Sequence, residues 1–537
     1  MPIIDTFREV SQLNRNDSIF LTQAENDKYG LLLDIASLKR DELPVKKRIA
    51  LSRKNEPLVD DVNLKQVAAL LNRTYGSLYN TYMSIVADLK EVIGEDTEDI
   101  QRLFSVPLDA YHYHLVNQSD VFDFVNILLK GEEVKFEEFW TSHDISKATA
   151  LRHLKGVRDL IRSFDIRMYY DPIRLEGDEN KIRLVLIILF WLATDGHTWP
   201  FETIDRLDAL KAFDLAIERF QLAKPNVLTR ELGAYLVVTM YYRIAQRHYI
   251  QGPTEENLLR YPVPNMIKTY INQPFIGPAL IIKNAMAQMT MEEAMAESFN
   301  LYDLMNFGPI LLQGNNQYMP SYEDRYERYI PKTHKFVMDF MAKVPINLEE
   351  HLNLDEEDYQ GLVQTLMATV MTIYMFKQDV MSIMANHLMD DYTRLRDNPV
   401  LKQDIEDTVD YLLLDKQLDF ISDLRDQIVS GLYNVLRQVV QRVAPTNPVK
   451  VVLVSEQSFL GYFDLMMALK NIRYVTVTHD DADLADADLV ITTSSISLAN
   501  KVNPNAVMFK WNQNADSDHY GRLYGLLREL WLQKSAD

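Results

Sequence analysis

The residues from His143 to Arg162, HDISKATALRHLKGVRDLIR, concentrate basic side chains in one short stretch. Lysine and arginine donate charge-assisted hydrogen bonds to carboxylates and phosphates. The stretch stands out because the chain as a whole is acidic, with 77 Asp and Glu against 56 Lys and Arg residues and a net charge of −21. Exposed charges act over a Debye length of about 8 Å, so one basic surface can still bind an anion. The stretch therefore predicts contact with a negatively charged partner.

A helix that begins at Ser146 would place these side chains on one surface. Serine is a preferred N-cap residue because its oxygen accepts a hydrogen bond from the first helical turn. Apolar residues follow at helical spacing and predict a buried stripe: Ala150, Leu154, Val157 and Ile161. The residues of this helix that we predict to make the contact are Lys147, Thr149, Arg152, His153 and Lys155.

The segment before Ser146 completes a helix-turn-helix pattern. KFEEFW has aromatic residues at helical spacing, and TSHD interrupts it before Ile145 returns to the core. In helix-turn-helix proteins the second helix lies in the major groove of DNA, where its N-terminal residues contact base edges. For each basic side chain taken alone, a solvated helix face is the alternative.

The same spacing recurs in NLKQVAALLNRTYGSLYNTYMSIVADL, where Asn63 is predicted to cap the first helix. The buried stripe counted from Thr74 comprises Leu78, Tyr82, Ile85 and Leu89. The residues at or near the presented surface are Arg73, Tyr75, Ser77, Asn80 and Ser84. The preceding segment supplies further basic residues: Lys39, Arg40, Lys46, Lys47, Arg48, Arg53 and Lys54.

A basic hairpin is predicted directly after the second unit. IRMYY and IRLEG flank Asp171-Pro172, a turn-forming pair. A hairpin at this place is the wing of a winged helix-turn-helix, from which Arg167 and Arg174 would reach phosphates. Two units of matched spacing and a wing together favour DNA binding. The alternative from another class is a protein-interaction scaffold, which the net charge favours.

The rest of the chain is predicted to be helical up to a linker, RVAPTNPVK, that contains Pro445 and Pro448. Beyond it, VKVVLVS, RYVTVTH, DLVITTS and AVMFKW are predicted strands, with helices in FLGYFDLMMALKN and DHYGRLYGLLRELWLQ. Apolar strands without alternation indicate a buried, mainly parallel sheet. The predicted fold class is therefore mainly α and multidomain, with a C-terminal α/β domain.

Several protein classes are excluded or disfavoured. The chain has no cysteine, which excludes disulfides, thiol nucleophiles and Cys-ligated zinc and fits a reducing cytoplasm. The longest apolar run, Leu184 to Ala193, is shorter than the roughly 20 residues of a membrane helix, so a buried core helix is predicted. The N-terminus lacks the signal-peptide pattern. We expect a cytoplasmic protein without membrane contact.

No enzyme, cofactor or metal site is expected. The chain lacks GxxxxGK[ST], HExxH and GxSxG. His112 and His114 lie on one side of a segment predicted to be extended, but no third ligand is near them. DDADLADADL lacks the glycine and terminal glutamate of a calcium loop.

FEEFWTSHDISKATALRHLKGVRDLI and IRLEGDENKIR resemble the Mga-type helix-turn-helix, including its closing Gly177, Glu179 and Arg183. The order of parts is similar to that of the Mga/AtxA family, PRD-containing transcriptional (virulence) regulators of Gram-positive bacteria. The resemblance implies a cytoplasmic regulator, usually an activator, that binds double-stranded DNA as a homodimer. It also implies two helical phosphotransferase-regulation-like domains (PRDs), a C-terminal EIIB-like domain, and phosphocarrier proteins of the sugar phosphotransferase system as partners.

The resemblance divides the chain into five regions. They are an N-terminal region with the first helix-turn-helix (1–115), the winged helix-turn-helix (116–180), PRD-like domains (181–300 and 301–444) and the EIIB-like domain (449–537).

The chain departs from the family where phosphate is carried. In the first PRD-like domain, Arg230 and Glu231 stand near the place where some members carry a histidine, and His248 is at the far end of that helix. The other phosphorylation candidates are His334, His351 and His387. The EIIB-like domain has no cysteine, and Ser455 takes its expected place. The resemblance thus implies a sensing or dimerisation module, and an active phosphocarrier enzyme is disfavoured.

Overall fold

The computed structural model describes residues 17–54, 57, 59–222, 224–250, 262–274, 277–308, 322–345, 356–388, 397–443, 447–454, 459–493, 502–511 and 515–536. Within these ranges the chain is mainly helical and holds a two-stranded hairpin and a four-stranded sheet. The sheet has a hydrophobic core of its own, separate from that of the helices. The predicted mainly helical, multidomain class with a small parallel sheet is therefore confirmed.

The N-terminal region is a cluster of helices. They are α1 (Gln23–Glu42), α2 (Val45–Lys54), α3 (Leu64–Leu70), α4 (Tyr75–Ile93), α5 (Ile100–Leu103) and α6 (Leu108–Asn117). Asn63 caps α3 by accepting a hydrogen bond from the Gln66 N–H at 3.3 Å. Along α4 the predicted stripe is buried, except that Tyr82 is half-buried and stacks on Phe104.

A winged unit follows. Its elements are α7 (Asp120–Lys130), α8 (Phe136–Ser142), α9 (Lys147–His153), α10 (Lys155–Ser163), β1 (Arg167–Tyr170) and β2 (Ile173–Glu176). The next helix, α11 (Glu179–Thr194), contains the long apolar run and packs against α6 and α7. Its residues from Leu184 to Phe190 are all buried, which confirms the predicted core helix.

The middle of the chain is a stack of helices. They are α12 (Arg206–Arg219), α13 (Val227–Ala245), α14 (Met266–Ile271), α15 (Leu280–Ala287), α16 (Met291–Phe307), α17 (Tyr322–Tyr329), α18 (Pro331–Lys343), α19 (Glu356–Phe376), α20 (Val380–Leu388), α21 (Pro399–Leu412) and α22 (Arg425–Val443). No helix among the described residues is both long and apolar enough to cross a bilayer.

A buried ion-pair cluster joins α11, the helix that follows the wing, to the helical stack. The Arg183 guanidinium is 1% exposed and donates to both carboxylate oxygens of Glu297, at 2.6 and 2.8 Å. It also donates to Glu179 at 3.0 Å, and Arg243 donates to Glu179 from α13 at 2.7 Å. This set, the Arg183 cluster, joins α11 to α13 and α16. The closing Glu179 and Arg183 of the helix-turn-helix pattern therefore lie at an interface between helices.

The C-terminal sheet is formed by β3 (Val449–Val454), β4 (Val475–Thr478), β5 (Leu489–Thr492) and β6 (Val507–Lys510). All neighbours pair in parallel, in the order β4-β3-β5-β6. Helices α23 (Phe459–Lys470) and α24 (Ser517–Ala536) accompany the sheet. The inner strand β5 is buried at every residue, whereas the edge strand β6 alternates. A strand covered on both faces must be apolar throughout, which is why the predicted parallel sheet is confirmed.

Helix α2 of the N-terminal region contacts helix α24 of the C-terminal region. Asp518, in the first turn of α24, accepts hydrogen bonds from the Arg48 side chain at 2.9 Å and from the Val45 backbone N–H at 3.1 Å. The carboxylate therefore caps the first turn of α2, a place where negative charge is favourable.

Asp303, in α16, makes the stability of the helical stack depend on pH. Asp303 is 2% exposed, and its Oδ1 has no hydrogen-bond partner in the described part of the chain. Burial raises the pKa of Asp303 to about 8. Since the folded pKa exceeds the unfolded one, the contribution is complete below about pH 4 and is lost as the pH rises through 8. We expect the free energy of unfolding to fall by ~1.4 kcal/mol per pH unit between these limits.

Urea unfolding at several pH values measures this slope. Asp303→Asn should remove it, and Asp208→Asn, an exposed residue of α12, should retain it. A slope of equal size in both variants would contradict the assignment to Asp303.

Candidate nucleic-acid interface

The turn before α9 has the geometry that the sequence indicates. We call α9, the second helix of the helix-turn-helix, the recognition helix. Phe136 and Phe139 of α8 are buried, and Asp144 has a positive φ of 53°, a left-handed conformation that aspartate tolerates better than most residues. The Ser146 Oγ accepts a hydrogen bond from the Thr149 N–H at 3.2 Å. The predicted N-cap is therefore confirmed.

The two short helices after Ser146 act as one rod. Only Leu154 separates α9 from α10. The Leu154 N–H donates to the Ala150 carbonyl at 3.0 Å, and the Arg158 N–H donates to the Leu154 carbonyl at 2.9 Å, so helical hydrogen bonding continues across it. The whole predicted stripe is buried, at 0–1% exposure. Gly156 lies against Ile19 so closely that an added Cβ would stand 2.9 Å from the Ile19 Cβ. The N-terminal segment thus braces the rod.

One side of this rod is a basic face, formed by Lys147, Arg152 and Lys155. All three side chains are exposed, and none forms an ion pair with any residue that the structure describes. Thr149 lies beside them but is half-buried, and its hydroxyl is 2.9 Å from the Ser146 Oγ. The basic face is therefore free to meet an anion, while Thr149 is partly committed to the cap.

His153 lies away from the basic face, contrary to its predicted exposure toward a partner. Its Nδ1 is 2.8 Å from the Asp120 carboxylate, and the two side chains are 18% and 12% exposed. Asp120 is the first residue of α7, so the imidazole joins the recognition helix to the rest of the unit. Successive residues of a helix point about 100° apart, so His153 points away from Arg152 and toward Asp120 of α7.

The predicted wing is present. β1 and β2 pair antiparallel, with Arg167 opposite Glu176 and Tyr169 opposite Arg174. Arg167 is exposed and has no ion-pair partner among the described residues. Arg174 is held more tightly: its guanidinium lies 4.4 Å from the Tyr169 ring centre and 3.8 Å from the Glu176 carboxylate. Of the two wing arginines, Arg167 is therefore the freer to meet an anion.

The first unit presents aromatic rather than basic side chains. Tyr75, Ser77 and Asn80 of α4 are exposed as predicted, while Arg73 and Ser84 are half-buried. Tyr79 and Met83, which sequence reasoning left out, are each 43% exposed and continue the line of Tyr75 at one-turn spacing. Tyr75 and Tyr79 stack with ring centres 6.0 Å apart. The i, i+4, i+8 spacing of Tyr75, Tyr79 and Met83 in the sequence could have predicted this exposed surface. We call it the tyrosine stripe.

The basic segment before the first unit is partly neutralised. Lys39 pairs with Asp61 and its neighbours, Arg40 with Asp41 at 4.0 Å, and Arg48 with Asp518. Lys46 and Lys47 are exposed. The side chains of Arg53 and Lys54 lie outside the described part of the structure.

The predicted histidine candidates are scattered. His248 is exposed, and partial desolvation together with the Arg243 charge lowers its pKa. His334 is half-buried at the start of α18. His351, Ser455 and the side chain of His387 lie outside the described residues. His112 and His114 belong to helix α6, so the predicted extended segment is wrong; His112 contacts Ser18 and His114 contacts Glu91.

Comparison with known proteins shows what the region around the winged unit is similar to. Residues 108–190, from the start of α6 into α11, match the Mga helix-turn-helix domain. Over 96 residues the chain is 24% identical to the capsule synthesis positive regulator AcpB of Bacillus anthracis. The matched segment covers 18% of this chain and 20% of AcpB. The chain thus spans about a fifth of that relative's length. Residues 108–190 form an Mga-type helix-turn-helix domain, and the likeness to the Mga/AtxA-like regulators predicted from the sequence is confirmed.

Proposed function

We propose that this chain is a transcription regulator that binds double-stranded DNA through its Mga-type domain. The observation that carries the proposal is the basic face, with Lys147, Arg152 and Lys155 exposed and unpaired among the described residues. The face lies on a helix whose N-terminus Ser146 caps, and the wing places Arg167 at the end of the same unit. A helix in the major groove and a wing on the backbone would use these groups.

The acidic remainder of the chain supports a confined contact. Since the net charge is −21, duplex DNA is repelled from most of the surface and is attracted where unpaired cations lie together. Ser77, Asn80, Lys46 and Lys47 would extend the footprint through the first unit. Because AcpB is named a positive regulator, we propose activation of transcription as the output.

The same proposal assigns roles to the other regions. Residues 181–300 and 301–444 would be PRD-like sensors of the sugar phosphotransferase system, and residues 449–537 an EIIB-like module that contributes to a homodimer. Their supports are the helical stack and the four-stranded parallel sheet. His248, His334 and His387 are the phosphorylation candidates. Incubation with the general phosphocarrier protein and its kinase should give acid-labile label on a histidine; an unlabelled chain would overturn this part alone.

A mobility-shift assay with fragments of the source genome tests the DNA-binding proposal. We expect retarded complexes that survive an excess of unrelated DNA and weaken steeply with salt, because bound phosphates release counterions. If every fragment migrates unshifted at low salt, the proposal fails.

A second candidate, docking of a partner protein, is favoured by the tyrosine stripe. Exposed tyrosines supply large contact areas in protein interfaces. Under this alternative Tyr79→Ala would abolish partner binding and leave DNA affinity unchanged. A loss of DNA affinity in Tyr79→Ala would instead include the stripe in the DNA footprint.

A further inference from the structure

A cavity lies between α10 and the wing, beside the basic face rather than on it. Its volume is about 760 Å³, within the usual range for small-ligand sites. Arginines from both elements line it, namely Arg158, Arg162 and Arg167, and apolar groups such as Leu151 and Met168 form part of the wall. The cavity therefore combines concentrated positive charge with carbon-lined surface.

Two polar atoms of the lining residues are buried and have no hydrogen-bond partner among the residues that the structure describes. They are the Nε of Arg158 and the hydroxyl of Tyr170, whose ring packs on Phe136 at 4.7 Å between centres. A buried donor without a partner costs about 1–3 kcal/mol. Both atoms belong to residues around one cavity, so one ligand would recover both.

The charges around the cavity favour a dianion. Asp165, a lining residue, is already paired with Lys181 at 3.2 Å. Asp159 is the other carboxylate near these arginines. Its Oδ1 is 4.0 Å from the Arg158 Nε and 3.9 Å from the Arg162 Nη1, and both distances are at the outer limit of an ion pair. The three guanidinium groups therefore exceed the carboxylates available to neutralise them.

We propose that this cavity binds a small organic phosphate monoester. Guanidinium groups are suited to phosphate because they donate two parallel hydrogen bonds in a fixed plane. Phosphate monoesters carry close to two negative charges at pH 7, which matches the excess of arginines. The carbon part of the ester would contact Leu151 and Met168, and the Tyr170 hydroxyl would donate to a phosphate oxygen.

A small ligand fits the two buried atoms better than the DNA backbone does. A duplex is rigid on the scale of this cavity and touches the outer surface of a helix and wing. The Arg158 Nε and the Tyr170 hydroxyl have essentially no accessible surface, so a rigid duplex does not reach them, whereas a small ligand in the cavity would contact them after a slight shift of the lining side chains. Since α10 continues the recognition helix and β1 begins the wing, an occupant would contact both DNA-binding elements.

Isothermal titration of the full chain with phenyl phosphate tests the proposal in the absence of DNA, so that its outcome is independent of the proposed function. We expect saturable binding of phenyl phosphate and at least tenfold weaker binding of inorganic phosphate, which lacks the apolar part. Arg158→Gln and Tyr170→Phe should each weaken phenyl phosphate at least tenfold. Arg219→Gln, which changes an exposed arginine of α12 that does not line the cavity, should bind as the wild type does.

Three outcomes would overturn the proposal. One is the absence of heat at millimolar phenyl phosphate. Another is equal affinity in wild type, Arg158→Gln and Tyr170→Phe, with all three folded by circular dichroism. The third is a DNA-affinity salt slope that falls by about one in Arg158→Gln while phenyl phosphate fails to bind, because Arg158 would then be a ligand of the DNA backbone.

Discussion

Arg183→Ala is expected to lower the free energy of unfolding by about 3–5 kcal/mol, since it leaves the buried Glu297 carboxylate without its counterion. Glu297 is fully buried and accepts both of its side-chain ion-pair hydrogen bonds from Arg183. In this cluster Glu179 would keep only Arg243 as an ion-pair partner. The substitution would loosen the junction that holds α11, the helix after the wing, against α13 and α16. Urea unfolding followed by circular dichroism measures the loss.

Lys211→Ala is the matched control, because its exposed ion pair with Asp208 should contribute at most about 1 kcal/mol. Acidification probes the same cluster. Burial alone would raise the pKa of Glu179, but the Arg243 and Arg183 guanidiniums reverse this and lower it. Since the folded pKa is below the unfolded one, this stabilisation is present above about pH 4.3 and is lost as the pH falls through the folded value. An Arg183→Ala variant as stable as Lys211→Ala would show that the cluster contributes little.

The double variant Arg152→Ala and Lys155→Ala is expected to bind duplex DNA about 10–100-fold more weakly than the wild type at moderate salt. Both side chains are exposed and unpaired among the described residues, so their removal should change the stability of the fold little. The complex with DNA would lose two cations. The slope of log affinity against log salt should become shallower by about two, one for each lost phosphate contact. Fluorescence anisotropy on an operator fragment from the mobility-shift assay gives both quantities.

The control for this prediction removes the same charge elsewhere. Lys211 and Lys268 are exposed on α12 and α14, far along the chain from the winged unit, and their double alanine variant should keep both affinity and slope. If the two double variants lose affinity equally, the effect is one of net charge, and the basic face has no particular role. Loss of affinity on one sequence only would identify base contacts rather than backbone contacts.

Local spacing in the sequence was enough to predict the frame of the site. A serine cap, four apolar residues at helical intervals and a turn-forming Asp-Pro pair are short-range signals, and each was found in its predicted place. The exposure of Lys147, Arg152 and Lys155 followed from the same periodicity, since a residue opposite a buried stripe faces solvent. The parallel sheet was equally readable, because strands covered on both faces are apolar throughout.

Tertiary structure decided which of the polar residues remain available. His153 is withdrawn by Asp120, 33 residues earlier, and Arg48 is engaged by Asp518, 470 residues later. The Arg183 cluster joins residues 114 apart, and the cavity brings Arg158 of a helix beside Tyr170 of a strand. Helical and strand periodicity reports only which face of an element is buried. It carries no information on which residues of other elements lie against that face. Those long-range partners determine whether a charged side chain is paired within the fold or remains available to bind a ligand.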